Sequence, residues 1–201
     1  MKFINKSLKR LMDIVSSGLG IILLFPVLLF IAIWIKFSSE GPILFKQIRV
    51  GRNGKEFSIF KFRTMIINAD KIGTQITIGE DKRITSSGKF LRKYKLDELP
   101  QLFNVFKGDM SLVGPRPEVP KYVELYNEEQ RRVLEVRPGI TDIASLRYKD
   151  ENDILGKVDN PEEYYINVIM KDKLKLNLEY IEKCNIFFDV YLIIKTIIKC
   201  I

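Results

Sequence analysis

The chain has 201 residues, enough for one domain with a real core plus a membrane element. Its 33 Lys and Arg against 25 Asp and Glu leave a net charge of +8, which suits an anionic bilayer face, phosphate-bearing substrates or nucleic acid without separating them. The lack of any histidine excludes histidine general bases, histidine triads and the usual histidine-bearing zinc sites, so any chemistry falls to carboxylates, Lys, Tyr, Ser or Cys.

No residue from Ile14 to Ile35 is charged. At ~1.5 Å per residue a straight helix over that run reaches ~33 Å, enough to cross a bilayer, so a plain transmembrane anchor is one reading. Two features favour a segment that dips in and returns. Pro26 deletes a backbone hydrogen bond near the middle, where the helix is expected to break or bend. The flanks are basic on both sides, with Lys2, Lys6, Lys9 and Arg10 before the run and Lys36, Lys46, Arg49 and Arg52 after it. Re-entry keeps both on the cytoplasmic side. The run is too long for the apolar core of a signal peptide, and Lys36-Phe37-Ser38-Ser39 offers no cleavage site.

Ile43 to Val50 and Lys55 to Met65 are rich in Ile, Phe and Val, and Gly51-Arg52-Asn53-Gly54 between them has turn chemistry, which predicts a β-hairpin. On its second strand Phe60 and Phe62 face one way while Lys61 and Arg63 alternate to the other, either as a solvated face or as a phosphate-directed pair. Asn68 to Arg83 is polar, with Gly73 and Gly79, and predicts a surface loop that could be mobile. Ser86 to Tyr94 predicts a short helix carrying Lys89, Arg92 and Lys93.

The stretch LDELPQLFNVFKGDMSLVGPRP, Leu96 to Pro117, concentrates chemistry. Asp97 stands as a helix N-cap, with Pro100 tolerated in the first turn, and a carboxylate there meets the positive end of the helix dipole and stays ionised. The helix is expected to bury Leu99, Leu102, Phe103 and Phe106 and to end at Lys107-Gly108. Gly114-Pro115-Arg116-Pro117 makes a stiff turn from which a planar guanidinium suits bidentate contact with phosphate. Taken singly, an Asp-Glu pair before a helix is far more often a simple cap, and an arginine between prolines more often a surface turn than a ligand.

Further on, Asn127 caps a helix whose first turn holds Glu128, Glu129 and Gln130. Arg137 to Glu151, RPGITDIASLRYKDE, is expected to be a polar loop forming one wall of a pocket. Asn160-Pro161-Glu162-Glu163 starts another helix into Tyr164 to Met170. From Ile186 the chain is largely apolar with Lys195 and Lys199 on one edge, as suits core or the membrane interface. Cys184 and Cys200 lack CxxC spacing and are expected to be reduced, packed thiols. There is no internal repeat, no P-loop, no dinucleotide fingerprint and no nucleic-acid motif.

In order, the basic flank and Pro-broken apolar helix, KFRTM, LDELPQLFNVFKGDMSLVGPRP and RPGIT resemble the bacterial sugar transferases known as monotopic phosphoglycosyl transferases, and specifically their small members. The likeness covers nearly the whole chain. It implies an α+β monotopic membrane protein: a re-entrant Pro-broken helix over residues 1–37, then a cytosol-facing, mainly helical catalytic domain over 38–201 with a small β-hairpin and amphipathic interfacial helices. It also implies Mg2+ dependence and transfer of a phosphosugar from a UDP-sugar to polyprenyl (undecaprenyl) phosphate through an aspartyl intermediate. The place implied is the cytoplasmic face of the bacterial inner membrane, in contact with its lipid, and the step is the first membrane one of a surface glycan.

Carried over by position, the acid pair is Asp97, also the metal ligand, with Glu98 placing or deprotonating the acceptor. Arg116, framed by Pro115 and Pro117, is the phosphate clamp, helped by Arg92, Arg63 and Lys61, and the helix-breaking proline is Pro26. After RPGIT the chain departs from the family's frequent Asn-Gly-Arg ending; Arg147 is the candidate replacement, and the sugar is left open. So is a homodimer. A non-catalytic, basic, membrane-anchored interaction protein and an Asp-dependent phosphatase stand as alternative readings.

Overall fold

The computed structural model describes residues 3–69, 72 and 81–200. Helix α1, Phe3–Ser38, runs for 36 residues without interruption at Pro26. The expected break is absent, because one lost hydrogen bond with intact turns on both sides is tolerated in a long apolar helix. Leu28, Ile31 and Ile35 on its inner face are buried against Phe62 and Leu91. Gly18 and Gly20 admit the side chains of Phe106 and Leu102 to van der Waals contact. The outer face stays uncovered, with Ile22 71% and Leu23 74% exposed, so the helix is apolar all round and packed on one side only.

The hairpin forms as expected, β1 (Leu44–Val50) antiparallel to β2 (Glu56–Phe62), in a register running from Leu44 opposite Phe62 to Val50 opposite Glu56. Most of the expected surface loop, residues 70, 71 and 73–80 with Gly73 and Gly79, lies outside the described residues, as do Lys2 and the side chain of Cys200. The base of the loop is closed by a bridge between Met65 and Ile84. Helix α2 (Ser86–Lys93) starts at Thr85, whose hydroxyl accepts from the Gly88 amide. After a 3-10 turn at Leu96–Glu98 come α3 (Gln101–Lys107) and β3 (Ser111–Val113).

Two short helices follow, α4 (Pro120–Val123) and α5 (Glu128–Arg131), the second with Asn127 and Gln130 forming the reciprocal capping box. The segment expected as a loop is instead β4 (Gly139–Thr141), paired parallel to β3, and α6 (Ile143–Arg147). The pairing needs two glycines face to face: a Cβ on Gly139 would lie 2.1 Å from the Gly114 amide nitrogen. That approach joins segments far apart in sequence and leaves no local pattern. Then come α7 (Glu151–Leu155), α8 (Pro161–Tyr164), a π turn at Tyr165–Ile169, α9 (Met170–Lys183) and α10 (Ile186–Cys200). Val50, Tyr122, Leu155, Tyr165, Ile169 and Leu174 form the main core under the hairpin. Tyr180 and Leu192 pack with Val113 and Leu146 to seat α9 and α10. The outer side of α10 exposes Phe187 and Ile198, at 88% and 69%. The Cys184 thiol is half-buried with its Sγ 3.2 Å from the Ile181 carbonyl.

Gly139→Ala should force β3 and β4 apart and cost about 3 kcal/mol, a fall in Tm of about 10 °C in detergent. Gly54→Ala meets no atom within 4 Å but occupies a φ of +74°, and should cost about 1 kcal/mol. Equal melting shifts in the two variants would contradict the close approach.

Candidate active site

Lys95 adopts a left-handed backbone, φ 56°, at the corner between α2 and the 3-10 turn. A non-glycine residue in that region is uncommon, and the corner turns Asp97 inward, where it is only 8% exposed. Asp97 is therefore not the N-cap of a helix. Helix α3 begins at Gln101 with Pro100 preceding it and no side-chain cap, so the dipole argument for an ionised Asp97 fails. The face of α3 turned to the protein is also different from the expected one. Gln101, Asn104 and Val105 are buried, whereas Phe103 and Phe106 are 44% and 51% exposed. Buried Asn104 accepts from the Phe60 amide at 2.9 Å and donates to the Ser58 carbonyl at 2.8 Å, stitching α3 to β2. Directional bonds at a fully buried amide fix the helix more narrowly than apolar contact would.

The two acids live in opposite surroundings. Glu98 receives the Lys61 ammonium at 2.8 Å and both terminal nitrogens of the Arg116 guanidinium. Burial pushes its carboxyl up, but Arg116 and then Lys61 outweigh that and hold it well below the usual carboxylate range. Arg116 is raised in turn, first by Glu98. Next door, the Asp97 carboxylate has no hydrogen bond or ion pair among the described residues. Burial first, and the Glu98 charge second, push it above its ordinary value against the pull of Lys61, Arg92 and Lys95.

Both acids line a cleft of about 1960 Å³. Its lining includes apolar side chains, Leu24 of α1 with Leu99 and Leu102, beside Gly20, and polar ones, Tyr148, Lys149 and Lys173. Lys61, Arg63, Arg92 and Arg116 all reach the cleft. Arg116 spends its fork on Glu98 rather than standing open to phosphate. Arg92 donates to the Thr64 hydroxyl at 2.8 Å beside Asp97. Arg63 is 5% exposed and donates to the Ser39 carbonyl and hydroxyl at the exit of α1, while its Nε and Nη1 find no acceptor.

Three sequence candidates fall outside the cleft. The side chain of Arg147 is 60% exposed and pairs with Asp172 at 3.5 Å, pointing away from the wall that Ser145, Tyr148 and Lys149 supply. Tyr148 also donates to Asp172, and burial helps push its phenol up to about 12. Pro115 and Pro117 lie behind the cleft and shape the turn: their carbonyls accept from Gly139 at 3.0 Å and from Arg49 at 3.0 Å. The sequence reading missed Glu118 and Tyr165, joined by a 2.7 Å hydrogen bond, and took Arg49 only for a flanking charge. Arg49 lies 3.7 Å from Glu118 in the same cleft wall. The one local signal was the position of Glu118 directly after the Gly-Pro-Arg-Pro turn.

Among the described residues no three potential metal-binding side chains cluster together. The family model described as bacterial sugar transferase matches residues 4–201. The chain is 39% identical over 205 residues to the UDP-glucose:undecaprenyl-phosphate glucose-1-phosphate transferase of Escherichia coli strain K12, a match covering 98% of this chain and 40% of that protein. It is 38% identical to a UDP-N-acetylgalactosamine-undecaprenyl-phosphate N-acetylgalactosaminephosphotransferase of Aeromonas hydrophila, over 94% of this chain and 43% of the relative. The chain thus spans well under half the length of these two relatives. It is 34% identical to the uncharacterized sugar transferase EpsL of Bacillus subtilis, over 96% of this chain and 86% of that protein.

The opposite states of the two acids predict opposite stability changes. Glu98→Ala leaves Lys61 and Arg116 without their counter-charge and should cost about 3 kcal/mol. Asp97→Asn removes a carboxylate whose charged form is disfavoured at neutral pH, because its folded value lies above the unfolded one. That variant should melt about 3 °C higher than the parent. Melting curves that move in the same direction for both would contradict the assignment.

Proposed function

The chain belongs to the bacterial sugar transferase family, and on that footing we propose that it transfers a sugar phosphate from a UDP-sugar to polyprenyl phosphate, with Asp97 as the nucleophile. The observation that carries the proposal is the unpaired Asp97 carboxylate beside a fully engaged Glu98 at the floor of the cleft. A nucleophile needs an uncommitted lone pair and a basicity above that of an ordinary carboxylate, and Asp97 has both.

In the first half-reaction an Asp97 oxygen attacks the β-phosphorus of the UDP-sugar. The bond from that phosphorus to the bridging oxygen breaks, UMP leaves, and the sugar phosphate stays on Asp97 as an acyl phosphate. Lys61 and Arg92 lie close enough to Asp97 to favour an approaching diphosphate, and Arg116 keeps Glu98 from swinging toward the phosphorus. In the second half-reaction an oxygen of the lipid phosphate attacks the same phosphorus, and the acyl phosphate bond breaks to regenerate Asp97. A phosphomonoester with its second pKa near ~6 is largely dianionic at neutral pH and needs no strong base. Glu98, charged and locked between two cations, therefore serves to place the cations rather than to take a proton.

The donor set suits Mg2+, which typically binds one or two carboxylates together with substrate phosphate oxygens rather than an all-protein cage. Asp97 is the residue that would hold it. When bound, the ion supplies neutralisation of diphosphate charge, so that an anionic nucleophile can approach.

We place the chain at the cytoplasmic face of a bacterial inner membrane, with α1 dipping into the bilayer from one side. Helix α1 is long and apolar enough to cross. Both of its ends are nevertheless tied to the same domain, through Arg10 to the Val105 and Phe106 carbonyls and through Ser38 to Ser87 at 2.9 Å. A straight crossing would carry one end away from that domain. The apolar lining of the cleft, with Leu24 beside Gly20 on α1, suits the lipid acceptor, and its polar lining suits the soluble donor.

Purified protein with Mg2+ should release UMP from one member of a UDP-sugar panel and gain the mass of that sugar phosphate when lipid is withheld. Asp97→Asn should lose both signals by more than ~1000-fold. Full activity in that variant would remove the covalent scheme. For the topology, cysteines placed at Lys6 and Lys36 should both react with a membrane-impermeant thiol reagent from the cytoplasmic side; labelling from opposite sides would show a crossing helix.

A further inference from the structure

We propose that Arg10 and Asp13, one turn apart on α1, are positioning residues that hold the two arms of the catalytic cleft in register. Arg10 donates through Nη1 to the Val105 carbonyl at 2.7 Å and through Nη2 to the Phe106 carbonyl at 2.9 Å. These carbonyls belong to the last turn of α3, where the dipole end favours a cation; the Val105 carbonyl also accepts from the Gly108 amide at 3.1 Å. Asp13, 1% exposed, accepts through one oxygen from the Ser111 hydroxyl and the Leu112 amide, both at 3.0 Å. Ser111 and Leu112 belong to β3.

The two gripped elements lead straight to the site. Helix α3 follows directly on the turn that carries Asp97 and Glu98, and β3 runs into the turn that carries Arg116. The arms meet where Arg116 clamps Glu98. Residues three apart on a helix share a face, so Arg10 and Asp13 hold both arms from one rigid surface. Neither lines the cleft. Apolar packing, which α1 already has through Ile31 and Ile35, would secure the helix without burying a carboxylate. What directional bonds add is a fixed offset between α3 and β3, and a misplacement of about 1 Å in reacting groups costs on the order of 10²-fold in rate.

The inference rests on the transferase reading above, and the test keeps the two apart. UMP release is measured at saturating and limiting donor, with the size of the first-turnover burst counting competent sites. Asp13→Ala should lower kcat per competent site by ~10- to 100-fold with the donor KM within ~3-fold of the parent. Asp13→Asn keeps the accepting oxygen and should restore kcat to within ~3-fold. Ser111→Ala removes one of the two bonds and should give a smaller loss in the same direction. Arg10→Lys keeps the charge but cannot reach both carbonyls as a fork, and should also lower kcat. A parent protein that releases no UMP from any donor overturns the transferase reading itself. An active parent whose Asp13→Ala variant loses only burst size, at unchanged kcat per site, overturns the positioning role and leaves the transferase reading standing.

Discussion

The site depends on the clamp around Glu98. Lys61 from β2, Glu98 from the turn ahead of α3 and Arg116 from the turn after β3 converge there, so three segments far apart in sequence are fastened at one charged point. Two cations around one carboxylate keep it ionised, and an ionised Glu98 keeps its neighbour from ionising easily. The adjacent acids are thereby driven apart in character although their covalent setting is the same. That asymmetry is what a shared nucleophile and scaffold require. It also explains why Arg116 serves better as an arginine than as a lysine: the fork fits both carboxylate oxygens, and a point charge would hold only one.

The cost of the arrangement is concentrated in Asp97, which is buried with no hydrogen bond or ion pair among the described residues. An energetically unfavourable group kept in a rigid, over-determined setting is the usual mark of a working residue. The left-handed Lys95 belongs to the same pattern, since it bends the chain at the one corner that directs Asp97 inward.

Much of this was legible locally. The hairpin followed from its alternation and turn, the capping box at Asn127 from side chains three residues apart, and the end of α3 from Gly108, whose φ of 105° only glycine adopts readily. What the sequence hid was set by distance or by solvent. Asp97 followed by Pro100 has the composition of a helix start, but the left-handed Lys95 that displaces the start carries no glycine or asparagine signal. The pairing of β3 with β4 depends on Gly114 and Gly139 meeting across the fold. Phe103 and Phe106 read as core because they are apolar, yet both are exposed. Here the buried positions pass to Gln101 and Asn104, and Asn104 ties the helix to β2; on the proposed placement at a bilayer, the exposed aromatic side chains would face lipid. Arg147, a candidate by position, lies at the surface beside Asp172 and outside the cleft lining.

On the proposed placement of α1 in a bilayer, the helix has two jobs that a simple anchor would not combine. Its uncovered face, from Leu19 to Phe30, suits lipid, while its inner face supplies Gly20 and Leu24 to the cleft and Arg10 and Asp13 to the catalytic arms. A tether joined to the domain at one end would leave the depth of the cleft free to vary. A helix bound along its length fixes that depth, and with it the height at which Asp97 stands relative to a lipid phosphate. In the proposed reaction the acceptor stays in the bilayer and the donor outside it, so transfer through one aspartate is workable only if that height is constant. The continuous packing of α1 against α3, through Gly18 on Phe106 and Gly20 on Leu102, is the physical means by which the fold meets that demand.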